Sequence, residues 1–191
     1  QSSDIRAMSD TGTLTVSHDT DSTLTVKDDN LVLAGNFDFD GGTLVGGASI
    51  NTFSDGAAVL KTDVTTLTNI GTIDVLSAKT LLFANSSDIL TNTSQIIIAG
   101  TSTLTVDTGI LLNDAGATIN ISSGGTVALA NGGTFTNNGS LFTGSSPGTA
   151  TIDGDFGFGA TSQYEFELGG LTPGIHDGHD QLSVTGEFTL G

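Results

Sequence analysis

The residues best suited to chemistry stand in three short segments. His176-Asp177-Gly178-His179-Asp180 holds two of the chain's three histidines beside two carboxylates. Imidazole and carboxylate at this spacing are donors for zinc or another divalent ion, so His176, Asp177, His179 and Asp180 are candidate metal ligands. The competing reading is an exposed polar loop introduced by the Pro173-Gly174 turn. Asp38 and Asp40, near Asn36 and followed by Gly41-Gly42, supply oxygen donors of the kind calcium takes, and calcium is the cofactor they suggest. They match neither an EF-hand loop nor the Gly-Gly-x-Gly-x-Asp calcium repeat, and Phe37-Asp38-Phe39-Asp40 equally describes the end of an amphipathic strand. Gly144-Ser145-Ser146-Pro147-Gly148 has the G-x-S-x-G form of a nucleophile elbow. That elbow needs a strand-to-helix turn with a downstream acid and base, whereas Pro147 and the lack of a helical pattern point to a loop. The remaining acids mostly stand singly, and no pair is set for glycoside cleavage. No catalytic residue is assigned.

The whole-chain charge narrows the partners. Four Lys and Arg face 21 Asp and Glu in 191 residues, for a formal net charge of −17. A chain so poor in cations cannot build the basic face that nucleic acid or an anionic membrane surface requires. Such acidity attracts counterions, divalent ones included, over the whole surface. Cysteine is absent, which excludes disulfides, thiolate catalysis and Cys-ligated metals. The longest aliphatic run, Ile96-Ile97-Ile98-Ala99, is far short of the roughly 20 residues of a membrane helix. One Tyr and no Trp cannot form the aromatic girdles of a membrane barrel, so direct membrane insertion is not expected.

The elements that would position these residues read as strands. Thr (31) and Gly (27) fill nearly a third of the chain, a composition that favours strands and turns over helices. Thr-Leu-Thr-Val recurs at 13–16, 23–26 and 103–106. A longer pattern is set by Asn69, Asn92, Asn113 and Asn137, spaced 23, 21 and 24 residues apart, each preceded by alternating apolar stretches. Each unit reads as strand, turn, strand, Asn corner, strand and turn. A period of 21–24 residues covers about 75 Å of extended chain, enough for three short faces and their corners. The expected fold is therefore all-β: a right-handed parallel β-solenoid, or β-helix, over residues 11–145, after a lead-in at 1–10. A β-sandwich or jelly roll is the alternative. Stacked in register, the four asparagines would form a structural amide ladder. Asn85, Asn92, Asn120 and Asn138 also fit the glycan-acceptor pattern, at a frequency that chance explains in a chain so rich in Asn, Ser and Thr.

Residues 146–191 change style and read as a more irregular C-terminal β segment, with alternation at Ile152, Phe156 and Phe158, at Tyr164, Phe166 and Leu168, and at Leu182, Val184, Phe188 and Leu190. Ser146-Pro147-Gly148-Thr149, Ile152-Asp153-Gly154-Asp155-Phe156, the Glu165–Leu168 strand and Asp180-Gln181-Leu182-Ser183-Val184-Thr185-Gly186 resemble the closing segment of bacterial autotransporter-type passengers and β-strand-repeat adhesins. The resemblance implies a secreted β-solenoid at the bacterial cell surface, belonging to a longer protein, and carries over no catalytic residue. Asp180 belongs to the shared pattern, which lowers its standing as a metal ligand. The expected function is structural or adhesive: surface spacer, adhesin passenger or filament subunit, with a cell-surface or glycan ligand and end-to-end self-association as the partners to test. The alternatives are a polysaccharide-active β-helix enzyme and a carbohydrate- or receptor-binding module. Ten Phe without Trp look like core filling rather than the exposed aromatic platforms of a sugar-binding face.

Overall fold

The computed structural model describes residues 89–144 and 147–191 in full. Before residue 89 it describes the strands between 13 and 84, with the side chains of Asn69, Ile73, Val75, Leu81 and Phe83 alone. All regular structure among the described residues is β, arranged as a parallel β-solenoid with three faces.

The first face stacks β1 (Thr13–Ser17), β4 (Asn36–Asp40), β7 (Ala57–Thr62), β10 (Thr80–Ala84), β13 (Thr103–Asp107), β16 (Gly125–Ala130), β19 (Thr149–Asp153) and β22 (Gln181–Val184). The second stacks β2 (Thr23–Val26), β5 (Thr43–Gly46), β8 (Thr66–Asn69), β11 (Ile89–Asn92), β14 (Ile110–Asn113), β17 (Thr134–Asn137), β20 (Asp155–Phe158) and β23 (Phe188–Leu190). The third stacks β3 (Leu31–Leu33), β6 (Ser49–Thr52), β9 (Thr72–Val75), β12 (Gln95–Ile98), β15 (Thr118–Ile121), β18 (Ser140–Phe142) and β21 (Gln163–Tyr164). Each strand inside a sheet thus pairs with the strands three places before and after it.

Alternation decides which side of each strand faces inward. In β13, Leu104 and Val106 are buried while Thr103, Thr105 and Asp107 lie on the outer side. The coil of β13, β14 and β15 contributes two inward residues per face. Leu104, Val106, Leu111, Asn113, Ile119 and Ile121 form one such layer, each wholly buried. A one-residue slip would turn Thr103, Thr105 and Asp107 inward, so the pattern fixes register. Parallel pairing sets like on like: Leu81 on Leu104, Ile96 on Ile119, Leu90 on Leu111.

Coils differ in length only at their corners. From the second face to the third, Asn92 reaches Gln95 across two residues, while Asn113 reaches Thr118 across four. The tight corner at Gly139 admits no larger residue, because a Cβ there would run into the carbonyls of Ala117 and Asp114. The change of style after Gly144 does not end the sheets, since β19 to β23 continue all three faces. The irregularity is an excursion. Thr149 pairs with Gln181, a coil of 32 residues, whereas Thr103 and Thr126 are 23 apart. The added length lies at 165–180, between β21 and β22.

Candidate functional site

The second face carries a continuous amide ladder. Asn69 Nδ2 donates to Asn92 Oδ1 at 2.8 Å, Asn92 Nδ2 to Asn113 Oδ1 at 2.8 Å, and Asn113 Nδ2 to Asn137 Oδ1 at 2.6 Å. The second hydrogen of each amide has an equally regular target, the carbonyl of the residue that opens the third-face strand of the next coil. These are Gln95 at 2.9 Å, Thr118 at 3.0 Å and Ser140 at 3.2 Å. All four asparagines are buried, so the ladder lies inside an otherwise apolar core and satisfies its own polar atoms. Asn92, whose two amide hydrogens are both committed, is no glycan acceptor in this fold.

The ladder ends at Asn137, whose amide turns to the Gly139 carbonyl at 2.9 Å. Phe158 and then Leu190 take its register position in the next two coils. Aromatic packing replaces amide bonding from there. Phe135 and Phe156 lie 4.8 Å apart between centroids, as do Phe156 and Phe158, with Phe188 5.8 Å beyond Phe156. This end opens into an apolar recess of about 410 Å³ lined by Phe158, Tyr164, Phe166, Leu182, Val184 and Phe188. Around it Phe188 and Leu190 are 48% and 76% exposed.

The excursion beside the recess carries the histidine candidates, and it turns them to different partners. His176 Nδ1 and Asp177 Oδ1 lie 2.9 Å apart on the outside, both side chains almost fully exposed. His179 Nδ1 lies 3.0 Å from the Gly170 carbonyl, and its ring packs near Phe166. Asp180 is buried instead, accepting from the backbone N–H of Gly148 at 2.6 Å and of Glu167 at 2.9 Å. Among the described residues, no three His, Asp or Glu side chains gather as a metal site. Asp180 is a clamp that ties the excursion to the corner before β19, and Gln181 N returns a bond to the Gly148 carbonyl at 2.8 Å.

The corner under this clamp holds polar groups that sequence reading did not single out. Thr143, 2% exposed, stands one position past the Asn120–Phe142 pair, where the neighbouring coils place Ile121 and Ile98. Thr143 Oγ1, Tyr164 Oη and Glu167 Oε2 are buried atoms, and the two hydroxyls stand side by side. The Tyr164 phenol is pushed above its ordinary 10.0, first by burial and further by the Asp180 charge, while the Thr143 hydroxyl beside it acts in the opposite direction. The readable signal was a Thr in an aliphatic column, visible once the coils are aligned.

Asp38 and Asp40 lie in β4, where register sets Asp38 against Lys61 of β7; their side chains fall outside the described residues. Ser145 and Ser146 of the G-x-S-x-G segment also fall outside them, and the described flanks form a corner between β18 and β19. Comparison with protein families, curated proteins and solved structures finds no match to this chain.

Proposed function

We propose that this chain is a structural or adhesive β-solenoid of the bacterial cell surface, acting as a stiff spacer within an exported passenger. The observation that carries the reading is the use of the interior. Each described coil commits its inward positions to coil-to-coil contact, through the apolar layers and the Asn69–Asn137 ladder. Outward strand positions are rich in Thr, with Asn120 and Asp107 among them, on a chain of net charge −17, a hydrated acidic surface suited to a chain working outside the cell. The resemblance of residues 146–186 to autotransporter-type passengers supports the location.

The test is incubation of the full chain with neutral and acidic polysaccharides, with and without calcium, followed by reducing-end release. A spacer or adhesin leaves the polymers intact. Turnover above the buffer rate would overturn the reading in favour of a polysaccharide-active enzyme.

The apolar recess favours a second element, end-to-end stacking as a filament subunit. Among the described strands, β21, β22 and β23 are paired on one side only and surround an aromatic floor. Unpaired parallel edges over an apolar floor invite another coil. Within the chain Thr-Leu-Thr-Val recurs in β1 and in β13, and β13 pairs on both of its edges. A second copy is thus a matching occupant, and head-to-tail contact of this kind propagates as a filament.

A further inference from the structure

Asn is followed by Gly at two places in the chain, Asn131-Gly132 and Asn138-Gly139, and the fold treats them in opposite ways. The dipeptide has a chemistry of its own. Glycine leaves the backbone nitrogen after Asn uncrowded and free to turn, so that nitrogen can attack the Asn carboxamide and close a five-membered imide.

Asn138-Gly139 forms the tight corner between β17 and β18, and packing holds it. Gly139 is buried against the Ala117 and Asp114 carbonyls and the Asn113 amide, while the Asn138 carboxamide oxygen lies against Gly159. Asn138 gives its N–H to the Asn113 carbonyl at 2.7 Å, and its own carbonyl accepts from the Thr161 hydroxyl at 2.8 Å. Turning that carboxamide onto the Gly139 nitrogen requires the corner to open.

Asn131-Gly132 is the turn between β16 and β17, and its surroundings are water. Both residues are exposed, at φ 52° and 88°, and a Cβ at Gly132 would meet nothing within 4 Å. The turn is closed by Gly133, whose N–H donates to the Ala130 carbonyl at 2.9 Å. Among the described residues, no group accepts from the Gly132 N–H. What holds the Asn131 side chain is one bond to the preceding coil, from Nδ2 to Asp107 Oδ1 at 2.6 Å.

We propose that Asn131 is a site of spontaneous covalent modification, deamidation through a cyclic imide, and that Asp107 restrains it. The Gly132 nitrogen bonds to Asn131 Cγ and the Cγ–Nδ2 bond breaks. Nδ2 leaves as ammonia, taking up through solvent the proton that Gly132 gave up. Water then opens the imide at either carbonyl, leaving aspartate or isoaspartate at 131. No oxidant, cofactor or second protein enters this balance. Either product sets a carboxylate where a donor met Asp107, so a bond between coils becomes a repulsion between like charges. The inference goes beyond the spacer reading and stands without it.

The test is timed incubation of the full chain at mildly alkaline pH, native and in urea. Cleavage after Phe135 then places the two sites on different peptides. Mass spectrometry reads the amide-to-acid conversion, and an isoaspartyl methyltransferase labels the isoaspartate. In the native chain 131 converts several-fold ahead of 138, and in urea the two convert at similar rates. Asp107→Ala speeds conversion at 131 several-fold while 138 stays slow, which also reports that the variant is folded. A native chain that converts both sites alike, or that keeps Asn131 intact while the unfolded chain loses it, overturns the site. Conversion at 131 unchanged in Asp107→Ala overturns the role given to Asp107.

Discussion

Replacing Asn113 by Leu tests whether the amide ladder holds the coils together or merely occupies space. Asn113 accepts from Asn92 Nδ2 and donates to Asn137 Oδ1 and the Ser140 carbonyl. Leu is of similar size and suits the apolar layer, so little cavity energy is involved. What it does is strand the neighbours. Asn92 keeps its bond to the Thr118 carbonyl but loses one acceptor, while Asn137 Oδ1 and the Ser140 carbonyl each lose a donor. With about 1–3 kcal/mol for each buried polar group left unmet, and Asn92 only partly affected, the expected loss is about 3–5 kcal/mol. Asn137→Leu, at the ladder's end, gives up the Asn113 bond and its own bond to Gly139, and costs less. The two changes together fall short of their sum by about 1 kcal/mol or more, since both remove the same Asn113–Asn137 bond. Urea midpoints with unchanged slopes provide the measurement. A loss below about 1 kcal/mol for Asn113→Leu, or additivity of the pair, would refute a cooperative ladder. The protein itself supplies the control: the same register position is Phe158 and Leu190 further on, so apolarity there is tolerated when no amide neighbour depends on it.

Three further outcomes follow from local features. Thr108 sits at φ 59°, a left-handed conformation that a β-branched residue resists, so Thr108→Gly raises stability by about 1 kcal/mol, measured as a higher urea midpoint. The raised Tyr164 phenol gives an alkaline limb: above pH 10.0 the unfolded chain ionises first, so stability falls with rising pH until the folded phenol also ionises, and Tyr164→Phe removes that limb from the pH profile of thermal unfolding. In sedimentation, salt that screens the −17 charge increases end-to-end association, and Leu190→Asp, at a 76% exposed site, abolishes it without lowering the melting point; a monomer at every salt concentration would sink the stacking proposal.

Much of this fold was legible because a solenoid makes long-range structure from a local period. Asn69, Asn92, Asn113 and Asn137 stand at intervals of 23, 21 and 24, and those intervals are the coil lengths of the second face. Alternation such as Thr-Leu-Thr-Val-Asp states which side is buried before any partner is known. The C-terminal coils were harder to read for two physical reasons. The excursion stretches one coil to 32 residues, so the period fails where the sheets do not. The core also changes chemistry, from amide bonding to ring packing, and Phe158 after Asn137 does not look like a repeat of it.

The candidate site failed to show for a related reason. His176, Asp177, His179 and Asp180 are neighbours in sequence, yet the turn at 174–180 sends their side chains apart, with only Asp180 going inside. The partners of Asp180 come from other coils and from the far side of the excursion: Gly148 is 32 residues away, and Glu167 is 13. In this architecture a residue's chemical neighbours are set by register, one coil up or down, rather than by adjacency in the chain. Thr143 carries the lesson. Taken alone it is one of 31 threonines, but set beneath Ile98 and Ile121 it is a hydroxyl inside an aliphatic column. A polar residue that breaks an inward column is judged by what register brings to it: another amide along the axis for the asparagines, and the Tyr164 hydroxyl for Thr143.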